Sequence, residues 1–85
     1  MGVSKNKTPY DNMLMSSFIN IKFGKKIKKI RQKRGITQEE LAELTKTSYK
    51  YIQRIEGKKP PDIRLTTIER IADALRTKLS KLLDF

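Results

Sequence analysis

Two short helices are predicted in the middle of the chain. Leu41 and Leu44 recur at helical spacing, which predicts the first of them. Thr37 is placed to act as its N-cap, and Glu40 follows three residues later, as a capping box requires. The residues that follow, up to Thr47, hold no helix-favouring pattern, so the first helix is expected to end there.

The second predicted helix begins after Ser48, which can serve as its N-cap. Ile52 and Ile55 give it one apolar stripe, and Gly57 ends it. Two helices of this length cannot bury their own apolar faces, so the flanking segments must supply a scaffold.

Helical periodicity in the flanking segments predicts that scaffold. A first core helix is expected from Phe18 to Arg34, with Gly35 as its C-cap. Further helices are predicted from two later sets of apolar residues: Leu65, Ile68, Ile71, Ala72 and Leu75, then Leu79, Leu82, Leu83 and Phe85. The pattern therefore predicts an all-α fold of five helices.

The polar side of the second short helix carries Lys50, Gln53 and Arg54, with Tyr49 at its edge. Each of these side chains can donate a hydrogen bond, and none is acidic. A helix that enters the major groove of DNA needs such a face, because guanine presents two acceptors there between walls of phosphate. An ordinary solvated helix face would show the same residues, so this pattern alone leaves both interpretations open.

Composition excludes several kinds of chemistry. The chain has 85 residues, enough for one small domain, and it contains neither Cys nor His. Disulfides, thiol nucleophiles, zinc fingers and histidine acid–base catalysis are therefore excluded, and no cofactor or metal is expected. Because the acidic residues are scattered over predicted helix faces, an enzyme is not expected either.

The formal net charge of +11 predicts a polyanionic partner. Residues 1–35 contain ten Lys and Arg residues against Asp11, a net +9, whereas residues 36–85 contain ten against eight acidic residues, a net +2. Residues 1–17, with Lys5, Lys7 and Pro9, are interpreted as a flexible basic arm, with a short helix from about Asp11 as an option. A basic contact to DNA and a plain disordered tail both fit this segment.

No apolar run approaches the roughly 18 residues of a membrane helix, and the segment from Met13 to Ile21 is interrupted by polar residues. Neither a membrane partner nor a signal peptide is expected. Without disulfides, a domain this small is expected in the cytoplasm, associated with the nucleoid if it binds DNA.

The central segment resembles the helix-turn-helix of the phage Cro and repressor family, also called XRE-like. The resemblance is carried by residues 35–42, by Ser48 and by residues 51–56. Residues 23–31 are similar to the first helix of the family, and residues 68–75 to the fourth. The match extends over roughly residues 21–83, which implies a compact lambda-repressor-like domain over residues 18–85 and double-stranded DNA as the partner.

The resemblance implies a role for several individual residues. Tyr49, Lys50 and Arg54 stand where family members contact base edges, and Gln38 stands where a glutamine contacts phosphate and supports the recognition helix. Arg31 and Glu56 are expected to form a structural ion pair. The remaining residues assigned to the DNA interface are Lys46, Ser48, Gln53, Lys58 and Lys59, the last two as phosphate contacts.

The sequence departs from the family pattern at two places. Lys46 stands in the turn where the family usually has Gly with a positive φ, and Gly57 follows Glu56 without an intervening residue. The turn and the loop after the recognition helix are therefore expected to differ locally.

Small family members pair through their final helices, which implies a homodimer here. Leu79, Leu82, Leu83 and Phe85 are the expected interface, because they make the chain end unusually apolar. A monomer could instead fold some of them onto its own core, but a partner surface explains the surplus better. A homodimeric transcriptional regulator, of the repressor or restriction–modification controller type, is the leading hypothesis, with no small-molecule ligand. An antitoxin-like or coactivator-like protein-interaction module and a non-specific nucleic-acid-coating protein are the alternatives.

Overall fold

The computed structural model describes the backbone of residues 9–85 and the side chains of residues 18–85. Five helices follow one another in this part of the chain, and it contains no strand. They are α1 (Pro9–Lys33), α2 (Gln38–Thr45), α3 (Tyr49–Ile55), α4 (Leu65–Ala74) and α5 (Leu79–Leu82). The predicted all-α fold with five helices is confirmed.

Helix α1 begins well before the predicted start at Phe18. It runs without a break from Pro9, a residue that suits the first turn of a helix because its missing N–H would have no partner there. Residues 9–17 thus share one helix with residues 18–33, while the division of the chain into an arm and a domain at residue 18 stays a prediction. Lys5 and Lys7 of the predicted arm lie outside the described residues.

Both predicted N-caps are present. The Thr37 hydroxyl accepts a hydrogen bond from the Glu40 N–H at 3.0 Å, and the Glu40 carboxylate accepts one from the Thr37 N–H at 2.8 Å. Ser48 Oγ accepts from the Tyr51 N–H at 3.0 Å at the start of α3. These caps satisfy backbone donors that short helices otherwise leave free, so the start of each helix is determined locally.

One apolar core lies among the five helices. Its members come from all of them: Phe23, Ile27, Leu41, Ala42, Ile52, Ile55, Ile68, Ile71, Ala72, Leu75 and Leu82. Two leucines expected in apolar stripes are not part of it, since Leu44 is 57% and Leu65 77% exposed. Leu44 directly precedes the fully buried Thr45 in the last turn of α2, but its own side chain lies on the exposed side, and Leu65 is the exposed first residue of α4.

Left-handed residues make three of the turns between helices. Gly35 has φ 71°, as its predicted role after α1 requires, and Lys46 and Arg76 have φ 57° and 54°. The Lys46 N–H donates to the carbonyls of Ala42 and Glu43, which closes α2. The helix-turn-helix turn thus keeps a positive φ even with Lys in the place of Gly, at some conformational cost.

Gly24 lets α1 and α3 approach closely. A Cβ at this position would collide with the main-chain carbonyl of Ile55, at the end of α3. Only a residue without a side chain therefore fits where α1 crosses α3.

We expect Gly24→Ala to destabilise the fold by about 1–3 kcal/mol, because the methyl group forces two backbones apart. Alanine's better helix propensity, worth up to about 1 kcal/mol, offsets part of this. Urea denaturation measures the difference, with Lys25→Ala on the exposed side of the same helix as control. A midpoint as high as that of the control would show that the helices separate at no cost.

Candidate nucleic-acid interface

An ion pair joins α1 to the end of α3. Arg31 Nε donates to Glu56 Oε2 at 2.7 Å, and Arg31 Nη2 donates to Glu56 Oε1 at 2.9 Å. Both side chains are almost fully removed from solvent, with 9% and 2% of their surface exposed. Donation of hydrogen bonds to the Glu56 carboxylate raises the pKa of Arg31 above its ordinary value, against the opposing effect of burial, so the guanidinium stays charged.

Two more hydrogen bonds extend this pair to α2. Gln38 Nε2, in the first turn of α2, donates to Glu56 Oε1 at 3.0 Å, and Arg31 Nη1 donates to the Ile36 carbonyl at 2.8 Å. The four hydrogen bonds tie α1, the start of α2 and the end of α3 together. They hold α3 at a defined orientation without using any side chain on its outer face.

The outer face of α3 is formed by the predicted residues. Ile52 and Ile55 are buried, whereas Tyr49, Lys50, Gln53 and Arg54 are exposed. Helix α3 contains no acidic residue. Its exposed side therefore offers hydrogen-bond donors and two positive charges to whatever it meets.

Basic residues lie at both ends of α3. Lys46 is exposed in the turn before the helix, and Lys58 and Lys59 are exposed in the loop after it. Ser48 is also exposed, but its hydroxyl is engaged as the N-cap of α3. The carboxylate nearest in sequence, Glu56, is held in the buried ion pair, so the positive charges around α3 are not neutralised by it.

Three polar contacts near this surface were not foreseen from the sequence. Asn20 Nδ2 donates to Asp62 Oδ1 at 2.8 Å, which links α1 to the loop after α3. The Thr45 hydroxyl is buried and donates to the Leu41 carbonyl at 2.7 Å, and it also lies 2.9 Å from the hydroxyl of Thr47. The two Thr45 contacts are local, since they join Thr45 to Leu41, four residues earlier, and to Thr47, two residues later. The helical spacing of Thr45 from Leu41 is therefore a signal in the sequence that could have predicted a buried hydroxyl. No local signal predicts the Asn20–Asp62 pair, because 42 positions separate its members.

The predicted apolar surface at the end of the chain has to be corrected. Leu82 is fully buried in the core of its own chain, so it has no surface to offer a partner. Leu79 and Leu83, one helical turn apart, are 40% and 42% exposed, and Phe85 is 49% exposed. The Phe85 ring packs against Phe23, with 6.4 Å between the ring centroids.

Neither a metal site nor a membrane span is found in the part of the chain that the structure describes. It contains no group of three or more acidic, Cys or His side chains arranged to hold a metal ion. None of its helices is long and apolar enough to cross a membrane.

Two short helices joined by a tight turn, the second with an exposed donor face between basic loops, define a helix-turn-helix DNA-binding protein. The family model of the Cro/C1-type HTH DNA-binding domain matches residues 26–85, which is most of the chain. The chain belongs to this family, which is not a family of enzymes. No curated protein sequence matches the chain.

A solved structure shows the same fold. The crystal structure of the restriction-modification controller protein C.AhdI from Aeromonas hydrophila superposes with a TM-score of 0.70 at 28% sequence identity. The match covers 74% of this chain and 94% of that protein. The likeness therefore extends over nearly the whole of C.AhdI, and the predicted lambda-repressor-like architecture is confirmed.

Proposed function

We propose that this protein is a sequence-specific transcriptional regulator that binds double-stranded DNA as a homodimer on an inverted-repeat operator. The observation that carries the proposal is the outer face of α3, where every exposed polar side chain can donate a hydrogen bond and none is acidic. Such a face suits the acceptors of guanine and the phosphates beside them. The same face argues against a protein-interaction module, which has no need of a surface where every polar side chain can donate and none is acidic.

The exposed residues divide into two roles. Arg54 and Lys50 contact base edges, Arg54 being suited to the O6 and N7 atoms of guanine, while Tyr49 and Gln53 extend the same face. Lys58 and Lys59 contact phosphate beyond the end of α3, Lys46 does so before its start, and Gln38 does so from the first turn of α2. Gln38 Nε2 already donates to Glu56, so its phosphate contact uses the remaining amide hydrogen.

The regulator is of the repressor or controller type. The support is the 28% identity with a protein that is itself named a restriction-modification controller. One recognition helix contacts only a few base pairs, so a small domain needs a second copy to select a single site in a genome. Leu79 of α5 and Leu83, the C-cap of α5, provide the exposed apolar pair for that contact.

Selection of bound duplexes from a random pool tests the proposal directly. We expect enrichment of an inverted repeat whose half-site centres are about 10 base pairs apart, as two recognition helices on one face of the duplex require. A pool that stays random while the protein binds it would make the protein a non-specific coating protein. A pool that is not retained at all would favour the protein-interaction module.

Base readout is tested by comparing Arg54→Ala with Lys58→Ala on the selected operator. We expect Arg54→Ala to lose roughly 1–3 kcal/mol at one operator position and to relax the base preference there, because a direct base contact is removed. Lys58→Ala should weaken binding to all duplexes about equally, because a phosphate contact carries no base information. Titrations with the operator and with its single-base variants measure both effects. If Arg54→Ala lowered the affinity for the operator and for random duplex by the same factor, Arg54 would not contribute to base recognition.

A further inference from the structure

A basic groove runs along α1 on the side where α5 and the last residues pack. Its wider part, about 370 Å³, is lined by Lys22, Lys25, Lys26, Lys29, Asp84 and Phe85. A second hollow of about 110 Å³ follows along α1, lined by Ile30, Lys33, Arg34, Thr77 and Lys81. We call the two together the α1–α5 groove. With a rise of 1.5 Å per residue, its α1 side from residue 22 to 33 is about 16 Å long.

The charge of the α1–α5 groove is strongly unbalanced. Seven basic side chains line its two parts, and Asp84 is the acidic residue among the lining residues. Within residues 18–85 the structure shows one ion pair, between Arg31 and Glu56, so none of the groove lysines is paired with a described carboxylate. Like charges placed this close repel one another, and a polyanion in the groove would relieve that repulsion.

The α1–α5 groove faces away from the recognition helix. Gly24 marks the side of α1 that touches α3, since a Cβ there would meet the Ile55 carbonyl. At about 100° per residue, Lys22, Lys26 and Lys29 lie roughly on the opposite side of α1 from Gly24. A duplex held by α3 is therefore on the other side of α1 and does not reach the groove. Any polyanion bound in the groove is a second ligand.

Phe85 indicates what kind of polyanion fits. Its ring is held against Phe23, yet 49% of the residue remains exposed, and it lines the same groove as the four lysines. Phosphates alone need no aromatic partner, whereas unpaired bases stack on such rings while basic side chains follow the backbone. Bases within a duplex have their faces covered by their neighbours, so the combination favours a single strand.

We propose that the α1–α5 groove binds single-stranded nucleic acid, with phosphates along the lysines of α1 and one base against Phe85. This site is separate from the proposed duplex-binding function, because it uses no residue of α3. It gives the protein a second nucleic-acid surface on its opposite side. A duplex and a single strand are then bound at the same time.

The test uses fluorescence anisotropy with a labelled oligothymidylate of about 12 nucleotides, a length within the usual range for single-strand sites. We expect Lys26→Gln with Lys29→Gln to weaken strand binding about tenfold or more and duplex binding less than about twofold. The matched control, Lys58→Gln with Lys59→Gln, removes the same charge beside α3 and should show the opposite preference. Lys29, Lys58 and Lys59 are exposed and Lys26 is half-buried, and none of the four makes a described ion pair, so both variants are expected to fold.

The base contact is tested separately. Phe85→Leu should weaken binding of the thymidylate about fivefold and leave an abasic strand of the same length unaffected, since the abasic strand has nothing to stack. An excess of unlabelled duplex should leave the labelled strand bound to the wild-type protein. Thermal denaturation of Phe85→Leu verifies that the contact with Phe23 is not needed for folding.

Three results would overturn the proposal. The first is an equal loss of strand binding in the two lysine variants, which would make the attraction a property of the net charge. The second is an abasic strand that binds as tightly as the thymidylate. The third is stoichiometric displacement of the strand by duplex, which would place both on one surface or assign the groove to duplex DNA.

Discussion

Glu56→Ala is expected to destabilise the fold by about 3–5 kcal/mol, the usual cost of removing one partner from a buried ion pair. Glu56 accepts two hydrogen bonds from Arg31 and one from Gln38, and 2% of its side chain is exposed. Its loss leaves the Arg31 guanidinium with a single acceptor, the Ile36 carbonyl, in a site that solvent hardly reaches. A domain of this size is stable by only about 5–15 kcal/mol, so the loss takes a large share of the total.

Urea or guanidinium denaturation at neutral pH measures this effect. Glu69→Ala, which removes an exposed carboxylate from α4, is the matched control and should change stability by less than about 0.5 kcal/mol. Replacing both partners, Arg31→Met with Glu56→Leu, should recover much of the loss, because no uncompensated charge then remains buried. An unchanged denaturation midpoint in Glu56→Ala would mean that the ion pair contributes nothing to folding.

The local features of the fold were predictable because they depend on neighbouring residues. Thr37 with Glu40 forms its capping box within four residues, and Ser48 caps α3 in the same way. The buried and exposed sides of α3 follow from helical periodicity alone, with Ile52 and Ile55 inside. Each of these signals is complete within one turn of helix, so tertiary context has little to change.

The wrong predictions concern which apolar side chains are buried. Helical periodicity shows that a residue lies on an apolar stripe, but it does not show whether another helix covers that residue. Leu82 belongs to the core and Leu79 and Leu83 do not, although all three have the same chemistry and stand in one short segment. Leu44 and Leu65 continue apolar stripes in sequence, but both side chains are exposed, although other residues of the same two helices are buried.

Two site features depend on family resemblance or on the fold itself. The Arg31–Glu56 pair joins residues 25 positions apart, and no spacing rule within the chain predicts it; the resemblance did. The α1–α5 groove needs the end of the chain to fold back over α1, which neither the pattern nor the resemblance indicated. Its lysines alone were indistinguishable from an ordinary solvated helix face.

The proposed homodimer depends on a small apolar surface. Leu79, the first residue of α5, and Leu83, its C-cap, stand one turn apart and are both about two-fifths exposed, whereas Leu82 between them faces the core. Substitutions at Leu82 would therefore unfold the protomer, and only its two neighbours can separate assembly from folding. Two-fold pairing at this surface would place the recognition helices about one DNA turn apart, roughly 34 Å.

Leu79→Glu with Leu83→Glu is expected to give a folded monomer whose affinity for the full operator is lower than that of the wild type by about 100-fold or more. The physical reason is that pairing makes the second half-site contact intramolecular, which typically gains 10²- to 10⁴-fold in affinity. Binding to an isolated half-site should hardly change, because α3 and its basic flanks are untouched.

Sedimentation at tens of micromolar and titrations with half-site and full-site duplexes check the two parts of this expectation. Leu44→Glu with Leu65→Glu is the matched control for assembly, since it places two charges on exposed leucines away from α5 and should remain dimeric. Four charges then face one another across the two-fold axis in the α5 variant and none do in the control, so a difference between them reports on α5 itself. A wild-type protein that sediments as a monomer and binds half-site and full site equally well would rule out the dimer, and α3 would then have to select its site from a single half-operator.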